Sequence, residues 1–306
     1  MPRIMAFVAM TGWTPLRIAE RGLKWLWGKS KPLTVAAVVV IGTVHVTSYI
    51  KKQKRRKKWN NAGKDVVVLH MFPRGYFCPN LSPFVVKLET YLRMAKIHYQ
   101  VDYEEPIGPK GKCPWITLNG EEIGDSQLII EKLGSKYGKD FSSDLTPEQY
   151  AIAHAMRVMV DEHLLWCLVV WRYIVDGGAS LSICMKFPVF FRILIPVFRR
   201  KVKKAVWMQG IGRHSFSEVE EIGRKDLSAL SAFLGENTYL MGDKATEVDC
   251  AVFGMLSQII WNSPNSPYLK MLDTEFTNLH AYCQRVKEEF WPDWNDCLVQ
   301  PFPKCQ

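Results

Sequence analysis

Ser82 stands directly before Pro83 and Phe84 at the predicted start of one helix, and Asp125 and Ser126 stand at the predicted start of another. A helix N-terminus carries unpaired N–H groups and positive partial charge, so both places suit a carboxylate ligand. Serine is also a leading capping residue, and the plainest reading of Ser82 is a helix cap. Cys113 precedes Pro114 at the opening of a predicted strand, and Cys78 lies four residues before Ser82, so both thiols would border the same region. The eight cysteines include no C-x-x-C pair, which excludes a zinc ribbon and a dithiol redox motif. Cys78 and Cys113 alone do not complete a tetrahedral metal site, and no metal is expected. Most of the cysteines sit among apolar neighbours, as buried reduced thiols do in a reducing compartment.

Two folded halves are needed to position these residues. The chain has 306 residues, 48% of them hydrophobic, enough for about two domains. Its formal charge of +10 is unevenly spread: residues 1–64 hold fourteen Lys or Arg against Glu20, while the remaining 242 residues hold 26 basic and 29 acidic ones. The body is therefore slightly acidic, with a basic cluster at Arg199, Arg200, Lys201, Lys203 and Lys204, and nucleic acid is not an expected partner.

Residues 1–32 form a basic lead in which Leu16, Ala19, Leu23, Leu26 and Trp27 share one helical face opposite Arg17, Arg21 and Lys24. Leu33 to Ile50 is eighteen residues without a full charge, close to the ~20 that cross a bilayer, and is expected to be a transmembrane helix. His45, Thr34, Thr43, Thr47 and Ser48 weaken it, and its Val-rich run is also compatible with a buried core element. A cleaved signal peptide is disfavoured because seven basic residues follow from Lys51 to Lys58 within the linker 51–64. That block predicts a cytosolic body, although Lys29 and Lys31 on the other flank pull the opposite way.

From 65 to 140 the pattern predicts strand (Val66–Met71), helix (Ser82 to about Lys96), strand (Ile97–Tyr103), hairpin around Asn119-Gly120, and helix to about Tyr137. This is the order of an α/β thioredoxin-like domain. From 147 to 290 the chain predicts an all-helical domain, with a long helix to Asp176, an apolar stretch at 181–194 and a capping box Ser217-x-x-Glu220, ahead of a tail at 291–306. The stretch at 181–194 contains Pro188, Lys186 and Arg192 and reads as a buried or membrane-leaning surface helix.

Lys112-Cys113-Pro114-Trp115-Ile116, Asn119-Gly120-Glu121 and Gly124-Asp125-Ser126 resemble the glutathione-site half of glutathione transferases. Tyr239 to Asp249, with Gly242-Asp243 and Thr246-x-x-Asp249, resembles the box that starts their central helix, Thr246 bonding the Asp249 N–H. Phe72-Pro73-Arg74, Leu81-Ser82-Pro83-Phe84, Gly210-Ile211-Gly212-Arg213-His214 and Asp249 to Gly254 are similar to the metaxin-related failed axon connections family, some members of which carry an N-terminal membrane segment. The resemblance implies a cis bond before Pro114, and glutathione as ligand held by Cys113, Pro114, Asp125 and Ser126. Ser82 would replace the catalytic cysteine of omega-type transferases; its hydroxyl cannot form a mixed disulfide but can stabilise a thiolate.

One departure stands against turnover. Only Glu104 to Cys113 separates the second strand from Pro114, too short for the helix that supplies further glutathione contacts, although Lys110 and Lys112 could partly substitute. The expected function is a membrane-anchored, non-catalytic or weakly catalytic adaptor with protein partners and a role in axon development. The alternative is a glutathione transferase in which Ser82 is catalytic. The basic flanks are compatible with the mitochondrial outer membrane as well as with other membranes.

Overall fold

The computed structural model describes residues 32–185 and 189–299, with backbone alone for 32–37 and 189–194. The amphipathic lead at 1–31, the segment 186–188 and the tail beyond 299 lie outside the described residues. The chain divides into two compact units, Met1–Asn61 and Ala62–Gln306.

In the first unit, Pro32–Asn60 is one continuous helix, α1. Thr43 and His45 bond back to the carbonyls of Val39 and Ile41, four residues earlier, which satisfies these polar groups within the helix. Among the described residues no helix is long and apolar enough to cross a membrane. The expected transmembrane span over 33–50 is thus unsupported.

In the second unit, β1 (Val67–His70), α2 (Pro83–Met94), β2 (Tyr99–Asp102), β3 (Trp115–Leu118), β4 (Glu121–Gly124) and α3 (Ser126–Tyr137) follow in order. The sheet order is β2-β1-β3-β4, with β1 and β2 parallel and the other pairs antiparallel. A parallel pair needs a crossover, and α2 provides it. The second strand is shorter than the alternation from Ile97 to Tyr103 predicts, because Lys96 turns with positive φ and closes the helix before it. Val67, Leu69, Ile116 and Leu118 share the face that packs on Val85, Leu88 and Leu92 of α2 and Ile129, Ile130 and Leu133 of α3.

The helical half runs α4 (Pro147–Met159), α5 (Leu165–Val170), α6 (Ala179–Cys184), α7 (Val189–Gln209), α8 (Phe216–Leu234), α9 (Glu247–Ile260), α10 (Pro267–Thr274) and α11 (Thr277–Phe290). The single helix predicted to Asp176 is broken in register by two π turns, Val160–Leu164 and Trp171–Val175. Each inserts an extra residue per turn and so shifts the buried stripe. The capping box of α8 lies at Ser215 and Glu218 rather than Ser217 and Glu220, since His214 leaves the 3₁₀ turn Ile211–Arg213 in extended conformation and Ser215, also extended, is the last residue before the helix. The helix α9 runs through the centre, buried from Val248 to Ile259. At Gly254 a Cβ would lie 2.6 Å from the Pro83 carbonyl oxygen, so only glycine lets α9 approach α2 this closely.

Glu247, the first residue of α9, has its carboxyl pushed up to about 7 by burial and by Asp140 and Glu131, against the Phe141 N–H that holds it down. A folded carboxyl above its ordinary value stabilises the fold fully below about pH 4.5 and loses that contribution as pH rises through about 7. Glu247→Gln keeps an acceptor for Phe141 and removes the charge. We expect it to add about 2 kcal/mol at pH 8, a rise of about 4–8 °C in Tm, once solvent screening and the helix N-terminus are discounted. No gain is expected at pH 4, and a thermal scan at both pH values checks the difference.

Candidate functional site

Strand register brings the chemistry to one edge. Trp115 pairs with His70 on one side and with Gly124 on the other, so the C-terminal ends of β1 and β4 flank the start of β3. Cys113-Pro114 precedes that start through a cis bond, and Asp125-Ser126 follows Gly124 directly. The helix α2 returns antiparallel to β1, which puts Ser82 at the same end, and α3 begins there as well. The two helices lie side by side: a Cβ on Gly134 of α3 would meet the Tyr91 hydroxyl of α2 at 3.4 Å. Ser82, Cys113, Pro114, Asp125 and Ser126 therefore belong to one end of one domain.

Each residue has its own condition there. Ser82 is half-buried, and its side chain caps none of the N–H groups of α2, so the plain capping expectation fails. Pro83 explains it in part, since proline at the first helical position removes one N–H that would need a partner. Asn80 sets the place of Ser82: its Oδ1 accepts the Ser82 N–H at 3.0 Å and its Nδ2 donates to the Phe72 carbonyl at 2.7 Å. The Asn80 carbonyl accepts from Gln258 and Asn262, both at 3.0 Å, which ties this helix start to the end of α9. Asn80 is passed over by the sequence reading, and its carbonyl partners are some 180 residues away.

Asp125 is the cap of α3, its Oδ1 accepting the N–H groups of Gln127 at 3.0 Å and Leu128 at 3.2 Å. Its φ of 90° is a conformation that side chains disfavour, and such strain persists where the surroundings impose it. With those two donors used, the N–H of Ser126 and its hydroxyl are the groups left to meet a ligand. Ser126 is 7% exposed and its side chain has no hydrogen-bond partner among the described residues.

Burial pushes Cys113 up to about 12, although the Phe72 N–H holds it down, and burial pushes Cys78 up to about 12 as well. A nucleophilic or metal-ligating cysteine needs a thiolate at neutral pH. Among the described residues no group of His, Cys, Asp and Glu could hold a metal.

A buried polar cluster beside the cis proline was not foreseen. His70 lies 3.0 Å from the Asp102 carboxylate and 2.9 Å from the Thr117 hydroxyl, and its ring stacks on Trp115 with centroids 3.7 Å apart. The signal available was a histidine ending an otherwise apolar strand. The Trp115 indole also donates to the Glu105 carbonyl at 2.8 Å, and Gly108 lies so close that a Cβ would fall 2.4 Å from the ring. Residues 103–114 contain no helix.

The two-domain fold is shared with known proteins. A model of the glutathione S-transferase N-terminal domain matches residues 83–177, and one of the C-terminal domain matches residues 223–286. "Failed axon connections" of Drosophila melanogaster is 36% identical over 81% of this chain and 63% of its own length. Metaxin-2 of Mus musculus is 25% identical over 68% of this chain and 81% of its own.

The chain belongs to the metaxin-related, glutathione transferase-like family. The isoprene-epoxide–glutathione S-transferase of Rhodococcus is 27% identical over 74% of this chain and 99% of its own. The crystal structure of a beta-etherase from Sphingobium superposes with a TM-score of 0.54 at 15% identity, covering 74% of this chain and 99% of that one, a likeness of fold. Within this family fold, the chain spans less than two thirds of the length of the Drosophila relative.

Proposed function

We propose that the chain is a membrane-held adaptor that keeps the glutathione transferase fold with little or no turnover. The connection from β2 to β3 carries this reading. Residues 103–114 contain no helix and are tied to Trp115 by its indole bond to the Glu105 carbonyl and by the close approach of Gly108 to its ring, where a helix would otherwise reach a peptide ligand. The upward push that burial gives the Cys113 and Cys78 thiols supports it further. The uncharged run at 33–50 and the basic block after it support attachment to a membrane with the body in the cytosol, the mitochondrial outer membrane among the candidates. The name of the Drosophila relative supports a role in axon development, exerted through protein partners.

A second reading has its own observation. The Ser82 hydroxyl is half-buried at a helix start yet caps nothing, which leaves it available to stabilise a thiolate of glutathione. Ser126, Asp125 and the main chain around Cys113-Pro114 would then hold the peptide, and the Rhodococcus relative supports this chemistry.

Calorimetry of the full chain with millimolar glutathione separates the two. The adaptor reading expects no heat. Heat that disappears in an Asp125→Ala, Ser126→Ala double variant, with conjugation of an epoxide that falls about 100-fold in Ser82→Ala, would replace it by the transferase reading. A fluorescent fusion of residues 1–64 is expected to sediment with membranes, and a soluble fusion would remove the anchor.

A further inference from the structure

We propose that the outward face of α7 is a docking surface for an anionic lipid bilayer, built into the folded body and independent of any anchor at 33–50. The helix buries Val202 and Val206 and turns Arg199 inward, where it donates to the carbonyls of Tyr173 at 3.0 Å and Ile174 at 3.2 Å. Those contacts fix which side faces out. At roughly 100° per residue, Val197, Arg200, Lys201, Lys204, Trp207 and Met208 fall together on the opposite side, along three turns. All six are exposed, with Val197 at 51%, Trp207 at 56% and Met208 at 71%.

The composition of this face names its occupant. A helix covering a soluble core turns its apolar residues inward, whereas here they alternate with cations on the exposed side. There is no acidic residue between Val189 and Gln209, and Arg200, Lys201, Lys203 and Lys204 make no ion pair among the described residues. Arg213, whose guanidinium lies 5.6 Å from the Trp207 ring, extends the positive surface. This charge is local, since residues 65–306 together hold 26 basic and 29 acidic groups. Unpaired cations on long apolar stems beside an exposed tryptophan and methionine match a headgroup layer, where the ammonium groups meet lipid phosphates and the apolar side chains enter the acyl boundary. A nucleic acid would meet the charges but leave Val197, Trp207 and Met208 unsatisfied.

The test is hydroxyl-radical footprinting of Trp207 and Met208 in the full chain. It compares vesicles of phosphatidylcholine with 30% phosphatidylserine, vesicles of phosphatidylcholine alone, inositol hexakisphosphate, and a DNA duplex. Oxidation of both residues is expected to slow roughly fivefold with the anionic vesicles only, as insertion below the headgroups requires. An Arg200→Gln, Lys201→Gln, Lys203→Gln, Lys204→Gln variant, whose changes are all on the surface, should lose most of this protection, with or without an anchor holding the chain to the vesicle. Equal protection by neutral vesicles, protection by the soluble phosphate or the duplex without lipid, or unchanged protection of Trp207 and Met208 in the quadruple variant would overturn the proposal. Failure of the anchor is separable: an anchor at 33–50 would attach the chain to neutral vesicles while Trp207 and Met208 stayed reactive.

Discussion

Lys87→Ala is expected to destabilise the chain by about 3–5 kcal/mol, because it strands the Asp161 carboxylate in a dry interface. Lys87 is 1% exposed in the middle of α2, and its Nζ lies 2.7 Å from Asp161 Oδ2 in the first π turn. Burial pushes the ammonium below its ordinary range, and Asp161 holds it up, so the pair survives only as a pair. Arg157 at 3.7 Å is a weaker second partner for Asp161 and keeps the loss toward the lower end. The control is decisive: Lys87→Met with Asp161→Leu removes both charges and is expected to cost less than about 1 kcal/mol, or to stabilise. Urea unfolding followed by circular dichroism measures both. Equal losses in the single and double variants would show that the two positions matter for packing and not for charge. Since α2 belongs to the thioredoxin-like half and the π turn to the helical half, the pair also locks the helix that carries Ser82 against the bundle.

Asp249→Ala is expected to be the more severe change, with a loss of at least about 4 kcal/mol and little soluble protein. The Asp249 side chain is a buried hub at the start of α9. Oδ2 accepts the Thr246 N–H at 2.7 Å and the Thr246 hydroxyl at 3.0 Å; Oδ1 accepts the Leu240 N–H at 3.0 Å and the Tyr282 hydroxyl at 2.9 Å. Burial pushes the carboxyl up, and those four donors hold it down. Removing it leaves two buried N–H groups unmet, each costing about 1–3 kcal/mol, besides the cap itself. Asp249→Asn keeps one acceptor oxygen but turns its NH2 donor toward either the Thr246 donors or those of Leu240 and Tyr282, so an intermediate loss is expected. Wild-type stability in Asp249→Ala, read from a denaturant curve, would refute the hub. Thr246 and Asp249 form the capping box expected from the sequence; the Thr246 carbonyl also accepts the Asp249 N–H at 3.1 Å, and the Thr246 hydroxyl donates to the carboxylate.

Much of the architecture could be read locally. Asn119-Gly120 closes the hairpin, both residues with positive φ as a tight two-residue turn demands. Pro83 at the first turn of α2, Asp125 before α3 and Thr246 before α9 all start the helices they signalled. Misreadings came where a signal has two solutions close together. Ser215 and Ser217 both precede acids three residues on, and only the end of the 3₁₀ turn decides which caps α8. The π turns left no local mark, since they follow from how the long helix must fit α2, α8 and α9.

The order of strands and helices, the cis proline between two helix starts and the capping boxes were determined by residues within a few positions of each other, where backbone geometry and short-range hydrogen bonds dominate. The family itself was legible for the same reason. Tertiary structure alone decided which of these groups remain available: Ser82 is held by Asn80 and caps nothing, the half-buried Cys113 thiol is pushed up by burial, Glu247 is crowded by Asp140 and Glu131, and Lys87 finds Asp161. Those outcomes depend on burial and on charges brought together from segments far apart in the chain, and the cost of burying a polar or charged group is set by all its neighbours at once.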